Sequence, residues 1–175
     1  ELTPDQLTAA DWRALFPAPY ADDLTAVAQQ FGLDRALLLG LIRQESGFNP
    51  ASLSRAYARG LMQQVLGTAR GQLRQLPAAW QALKGDGRLS ADDLYNPSLN
   101  MALGAAELQQ LLQEFGQPAY ALAGYNAGAS RVRAWRQQFP DLGLDAFIES
   151  VPISETRGYI QAVLRNAERY REIYN

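Results

Sequence analysis

Residues 37–63, LLLGLIRQESGFNPASLSRAYARGLMQ, constrain the fold more than any other stretch. Leu38, Leu41, Ile42 and Glu45 recur at helical spacing, so a carboxylate shares one stripe with leucines. Gly47, Asn49 and Pro50 then force the chain out of helix, and an irregular connection runs on to Ala58. A carboxyl held on an apolar stripe is desolvated, which favours its protonated form. Such a group retains a proton near neutral pH and can pass it to a leaving group, as a general acid must. A charge at a helix end that turns out to water is the ordinary alternative, and this feature alone favours it; the motifs that follow shift the balance.

Elsewhere the periodicity is helical as well. Thr3, Pro4 and Gln6 predict a capped helix start, with Leu2 stapling to Leu7 and the helix ending near Phe16. A second helix is expected over 20–31 with Gly32 as its stop, and Asp34 caps the helix that ends at Glu45. The pattern predicts helix again from Gly60 to about Leu76, then an irregular segment over 77–96 in which residues 84–90 form a turn. Asn96-Pro97 opens a long helix to Phe115. Its stripe includes Gly104 and Ala105, small residues expected to admit a neighbouring helix. Pro118 begins a helix that stops at Ala127-Gly128, and Ser130 is expected to cap the next one, to about Phe139. Ser154 caps a final helix bearing Tyr159, Ile160, Val163, Ala167 and Tyr170 on one side. No stretch alternates convincingly as a strand, so the fold class is mainly α.

The 175 residues suit one compact domain, and 47% hydrophobic against 19% charged residues mark a folded chain. No apolar run reaches the roughly 20 residues that span a bilayer, so no transmembrane segment is expected in this chain. A first residue that is glutamate is expected of a fragment or processed form. The sequence has no cysteine and no histidine, which excludes Cys–His and Ser–His–Asp chemistry, disulfides, and zinc sites built on either residue. Any catalysis must use carboxylates, hydroxyls and amides, and neither cofactor nor metal is expected. A net charge of −2 argues against a nucleic-acid partner.

Three further features accompany Glu45: GLMQ at 60–63, GYNAG at 124–128, and VPISETRGY at 151–159 with Glu155 and Arg157 in a first helical turn. Tyrosine and amide side chains provide the flat faces and paired donors and acceptors that a sugar site requires. Taken in order, LLLGLIRQESGFNP, S-x-x-x-A-R-GLMQ, LYNPSLNMALGAAEL, AGYNAGASRVRAW and VPISETRGYIQAVL resemble the catalytic domain of the soluble lytic transglycosylases. These are relatives of goose-type lysozyme that cleave peptidoglycan. The resemblance runs from Tyr20 to Tyr170 and implies a lysozyme-like helical domain with a substrate cleft. Residues 1–19 would form an N-terminal helix and linker, and residues 20–175 the catalytic domain.

The resemblance implies that Glu45 is the single acid/base and that Ser46 is a structural neighbour. It places Ser54 near an acetamido sugar and Met62 and Gln63 at the subsites flanking the scissile bond. Tyr125 would orient Glu45 or substrate, Asn126 would brace that corner, and Glu155 would contact the saccharide. Plainer roles exist for each: core for Met62, a helix C-cap for Asn126, a favourable helix-dipole position for Glu155. Arg131, Arg133 and Arg136 read most simply as a solvated face. Four departures from the family's pattern stand out: Arg55 replaces a common proline and Tyr57 a glycine. QVLGTA lacks a proline before its threonine, and Glu107 occupies a usual tyrosine position.

The implied partner is the peptidoglycan glycan strand, acted on by a monomer in the periplasm or outside the cell. The implied reaction cleaves between N-acetylmuramic acid and N-acetylglucosamine and leaves a 1,6-anhydro sugar. A water-using muramidase on the same scaffold and a non-catalytic glycan-binding module are the alternatives.

Overall fold

The structure, a computed structural model, describes residues 3, 6–83, 88–140 and 142–174. Helix α3 (Arg35–Ser46) is its centre. Every residue from Ala36 to Ile42 is buried, so the helix is apolar on all sides over two turns and is enclosed by its neighbours. Asp34 caps it through a carboxylate that accepts from the Ala36 amide at 2.8 Å. Gly47, with φ of 57°, ends it one residue beyond Ser46.

Helix α10 (Ser154–Tyr174) crosses α3 closely because of Gly40. A methyl group there would stand 2.8 Å from both the Ala167 nitrogen and the Val163 carbonyl oxygen, atoms of the α10 backbone. This crossing brings Tyr159 of α10 to Glu45 of α3. Around the pair lie α2 (Ala21–Phe31), α6 (Pro97–Phe115) and α7 (Pro118–Ala127), each with the boundaries that its proline, asparagine and glycine signals predict to within a residue. Helix α8 (Ala129–Gln138) follows α7 directly.

Several expectations change. The first helix is α1 (Ala9–Leu15), capped by Thr8 and Asp11 in a reciprocal capping box, not by Thr3. Thr3 and Gln6 still pair locally, the Thr3 amide donating to Gln6 Oε1 at 2.8 Å, while Pro4 lies outside the described residues. Leu2 lies outside the described residues. Helix α1 is tied back to the body where the Tyr170 hydroxyl donates to the Pro17 carbonyl at 2.9 Å and Arg43 to that of Leu15 at 3.0 Å.

The helix expected from Gly60 is only α4 (Leu66–Leu73). Residues 60–65 instead turn, because Asn100 and Arg59 capture backbone groups that a helix would use internally. The segment after α4 holds the short α5 (Ala78–Gln81) and a 3₁₀ turn, Asp92–Tyr95. Of the turn expected over 84–90, residues 84–87 lie outside the described residues. Gly128, not Ser130, stands at the start of α8, and a helix the sequence did not announce, α9 (Leu144–Ser150), precedes α10. Gly104 admits a side chain and not a helix: a Cβ there would fall 2.7 Å from Met62 Cβ and Sδ. Among the described residues no strand forms, only isolated bridges pairing Leu53 with Arg59 and Arg59 with Gln64.

Candidate active site

The connection between α3 and α4 is built on one buried side chain. Asn100, fully buried on α6, accepts from the Met62 amide at 2.7 Å and donates to the carbonyls of Arg59 and Leu94, each at 2.8 Å. Gly60 fits against it with φ of 79°, where any Cβ would meet the Leu94 carbonyl at 2.2 Å. Ser46 ties the same turn to α3, its hydroxyl donating to the Leu61 carbonyl at 2.8 Å. The turn is thereby fixed against the end of the helix that carries Glu45.

A cleft of about 550 Å³ opens there, lined by Glu45, by Ser54, Arg55, Ala56, Ala58, Gln63 and Val65 of the connection, by Tyr125 and Asn126 of α7, and by Glu155 of α10. Six of the seven expected site residues thus meet at one cavity. Met62 does not reach it. Its side chain is fully buried against Gly104, and only its carbonyl takes part, accepting from the Tyr125 hydroxyl at 2.9 Å.

Each of the other side chains has a local anchor. Ser54 Oγ accepts from the amides of Ala56 and Ala58 at 3.2 and 3.0 Å, shaping the loop that walls the cleft. Within that loop Tyr57 adopts φ of 63°, the left-handed region that glycine occupies most easily, with its ring exposed. Gln63 Nε2 donates to the carbonyls of Gly60 and Ser52. Asn126 Oδ1 accepts from the Thr156 hydroxyl at 2.6 Å, joining the end of α7 to the first turn of α10. Glu155 is exposed on that same turn.

Glu45 is the chemically distinctive member. Its carboxyl is pushed up to about 7, chiefly by desolvation; the Tyr159 hydrogen bond acts the other way, and the charges of Glu107 and Glu155 add to the rise. The Tyr159 hydroxyl donates to Glu45 Oε1 at 2.6 Å, a short bond of the charge-assisted kind. Burial raises Tyr159 well above the ordinary phenol value, so it remains a donor across the working pH range. A carboxyl balanced in this way changes protonation near neutrality, where it can serve as acid and then as base.

Tyr159, Gln64 and Asn100 bond directly to the residues of this site, and the sequence reading did not single them out for it. Tyr159 was legible as a core tyrosine, and a buried tyrosine hydroxyl requires a partner, which was the available signal. Arg131, Arg133 and Arg136 are exposed, as expected of a solvated face, and each also has a partner. Arg131 bonds the Ala127 carbonyl, Arg133 pairs with Glu114, and Arg136 lies over the Tyr120 ring. Among the described residues no cluster of carboxylates is arranged to hold a metal ion.

Replacing Tyr159 with phenylalanine removes the only one of these influences that lowers the Glu45 value. The alkaline limb of a pH–rate profile should move to higher pH, and the rate at the optimum should fall about tenfold as the acid loses its orientation. An unmoved limb would contradict the role given to this bond.

The transglycosylase SLT domain model matches residues 24–148 of the chain. The soluble lytic murein transglycosylase of Salmonella typhimurium is 35% identical over 158 residues, 89% of this chain and 23% of that protein. The 70 kDa soluble lytic transglycosylase of Escherichia coli superposes with a TM-score of 0.82 at 33% identity, covering 93% of this chain and 25% of that one. An inactive glutamate-to-glutamine mutant of lytic transglycosylase Slt from Pseudomonas aeruginosa gives 0.81 at 34% identity, over 93% and 26%. The chain spans about a quarter of the length of these proteins. With the model matching most of its length and the helical architecture shared, the chain belongs to the transglycosylase SLT domain family.

Proposed function

We propose that this chain is a peptidoglycan lytic transglycosylase acting in the cell envelope, periplasmic or extracellular, with Glu45 as its single acid/base. The observation that carries the reading is the contrast within the cleft: Glu45 and Glu155 both line it, but only Glu45 is desolvated to a value near 7, whereas Glu155 is exposed. A glycosidase of the ordinary kind uses two carboxyl groups flanking the bond. Here one carboxyl that titrates near neutrality serves twice.

In the proposed cycle Glu45 protonates the oxygen linking N-acetylmuramic acid to N-acetylglucosamine, and the bond from that oxygen to the muramic anomeric carbon breaks. The anionic Glu45 then accepts the proton of the muramic 6-hydroxyl as its oxygen closes on the anomeric carbon. Glu45 is protonated again, no water is consumed, and a 1,6-anhydro end remains. The nucleophile belongs to the sugar being cleaved, so positioning replaces a second catalytic carboxylate. Ser54, Gln63, Tyr125, Asn126 and Glu155 provide the hydrogen-bonding wall for the glycan, and Met62 supports Tyr125 through its carbonyl.

Incubating purified sacculi with the protein should release soluble muropeptides, and Glu45→Gln should still bind sacculi while releasing none. Equal release by both would remove Glu45 from the mechanism. Binding without release by either would make the chain a glycan-binding module.

A further inference from the structure

Glu107 lies on α6, and nothing in the proposed cycle uses it. It is drawn into the site by Gln64, which is 1% exposed and whose main chain exchanges hydrogen bonds with Arg59 at 2.9 and 3.0 Å. The Gln64 side-chain nitrogen donates to two acceptors, Glu107 Oε2 at 3.1 Å and the Tyr125 hydroxyl oxygen at 2.8 Å. Its own Oε1 is buried without a partner, so those two acceptors alone hold the amide in place. Tyr125 in turn donates to the Met62 carbonyl. A connected chain, Glu107–Gln64–Tyr125–Met62, therefore runs beneath the cleft from α6 to α7 and back to the turn.

We infer that Glu107 is a positioning residue of this site, a half-buried carboxyl that Gln64 ties to Tyr125 and that acts on Glu45 through this network and its own charge. The inference rests on the reading of Glu45 as the acid. The groups that face Glu45 are Tyr159 and Glu155 from α10, Glu107 from α6 and Tyr125 from α7. Those that face Glu107 are Glu45, Tyr125, Tyr159 and the Gln64 amide. Burial raises Glu107 itself, opposed by the Gln64 bond, and once ionised its charge opposes ionisation of Glu45. The carboxyl of Glu45 therefore holds its proton to higher pH with Glu107 than it would without. An acidic side chain at position 107 thus extends the range over which the acid is loaded.

The test is a carbon-13 NMR titration of the side-chain carboxyls in the whole chain, with the Glu45 signal assigned by its loss in Glu45→Gln. In Glu107→Gln, whose amide oxygen can still accept from Gln64, the Glu45 midpoint should fall by about 0.5 to 1 pH unit. The alkaline limb of the kcat/KM profile on sacculi should move down with it. A midpoint unchanged in a folded variant would overturn the inference, even if the melting temperature fell, because a merely structural Glu107 would leave the titration untouched. Should the variant fail to fold, the parent still decides: its Glu45 resonance should titrate in two steps, one of them shared with the Glu107 carboxyl signal, and a single step would overturn the inference. The titration needs no substrate, so its failure is distinguishable from failure of the enzymatic reading, which a chain that leaves sacculi intact would sink.

Discussion

Glu45→Gln should be more stable than the parent at pH 8 and lose about a thousandfold in turnover. The two effects share one cause. The carboxyl titrates near 7 in the folded chain against about 4.5 when free in water, so folding disfavours its ionised form. The sign follows from proton binding: between those two values the native state holds more protons than the unfolded one, and stability falls as pH rises. Below about 4.5 the group is protonated in both states and costs nothing; above about 7 the whole cost is present. Two and a half units correspond to roughly 3 kcal/mol, and solvent screening of a partly exposed residue reduces this to about 2 to 3 kcal/mol. Glutamine carries no such cost and can keep an oxygen for Tyr159. Melting curves from pH 4.5 to 8 should show the variant's advantage growing from near zero to about 5 to 10 °C. A constant difference across that range would mean that Glu45 is an ordinary exposed carboxylate.

Asn100→Ala should have the largest effect on stability. Its side chain bonds the buried Met62 amide, the buried Leu94 carbonyl and the partly buried Arg59 carbonyl, from a position with no exposure. Truncation leaves the Met62 amide and the Leu94 carbonyl without this partner, whereas the Arg59 carbonyl keeps the Gln64 amide, at about 1 to 3 kcal/mol for each group that stays dry. A total of about 3 to 5 kcal/mol is a large share of the 5 to 15 kcal/mol typical of a domain. The melting temperature should drop by about 10 °C or more, measured by far-ultraviolet circular dichroism. Activity below the melting temperature should fall as well, because the turn that Asn100 holds carries Gln63 into the cleft and Met62 beneath Tyr125. A melting temperature within about 3 °C of the parent would show that the turn is held by other means.

Most helix ends were legible where a local device set them, although the Thr8–Asp11 box of α1 was missed. Asp34, Gly47, Asn96-Pro97, Gly116 and Pro118 each act within a turn or so of backbone, and each predicted boundary lies within a residue of the observed one. The Gly60–Gln64 turn was misread as helix because its hydrogen bonds go to Asn100, 38 positions from Met62, and no local pattern reports that. Glu45 stood out only when its stripe was read with the motifs that follow it, and α3 is buried on every side only from Ala36 to Ile42. Tyr159 was hidden for the opposite reason: tyrosine fits an apolar stripe so well that its hydroxyl went unassigned. Its partner lies 114 positions away in sequence, brought near by the crossing of α3 and α10 that Gly40 permits.

The central claim, that Glu45 drives cleavage without water, is tested most directly by mass spectrometry of the muropeptides released when purified sacculi are digested in heavy-oxygen water. The account predicts 1,6-anhydro ends, one water lighter than hydrolysis products and free of the heavy isotope. Reducing ends carrying heavy oxygen would contradict it and identify a muramidase working from the same helix.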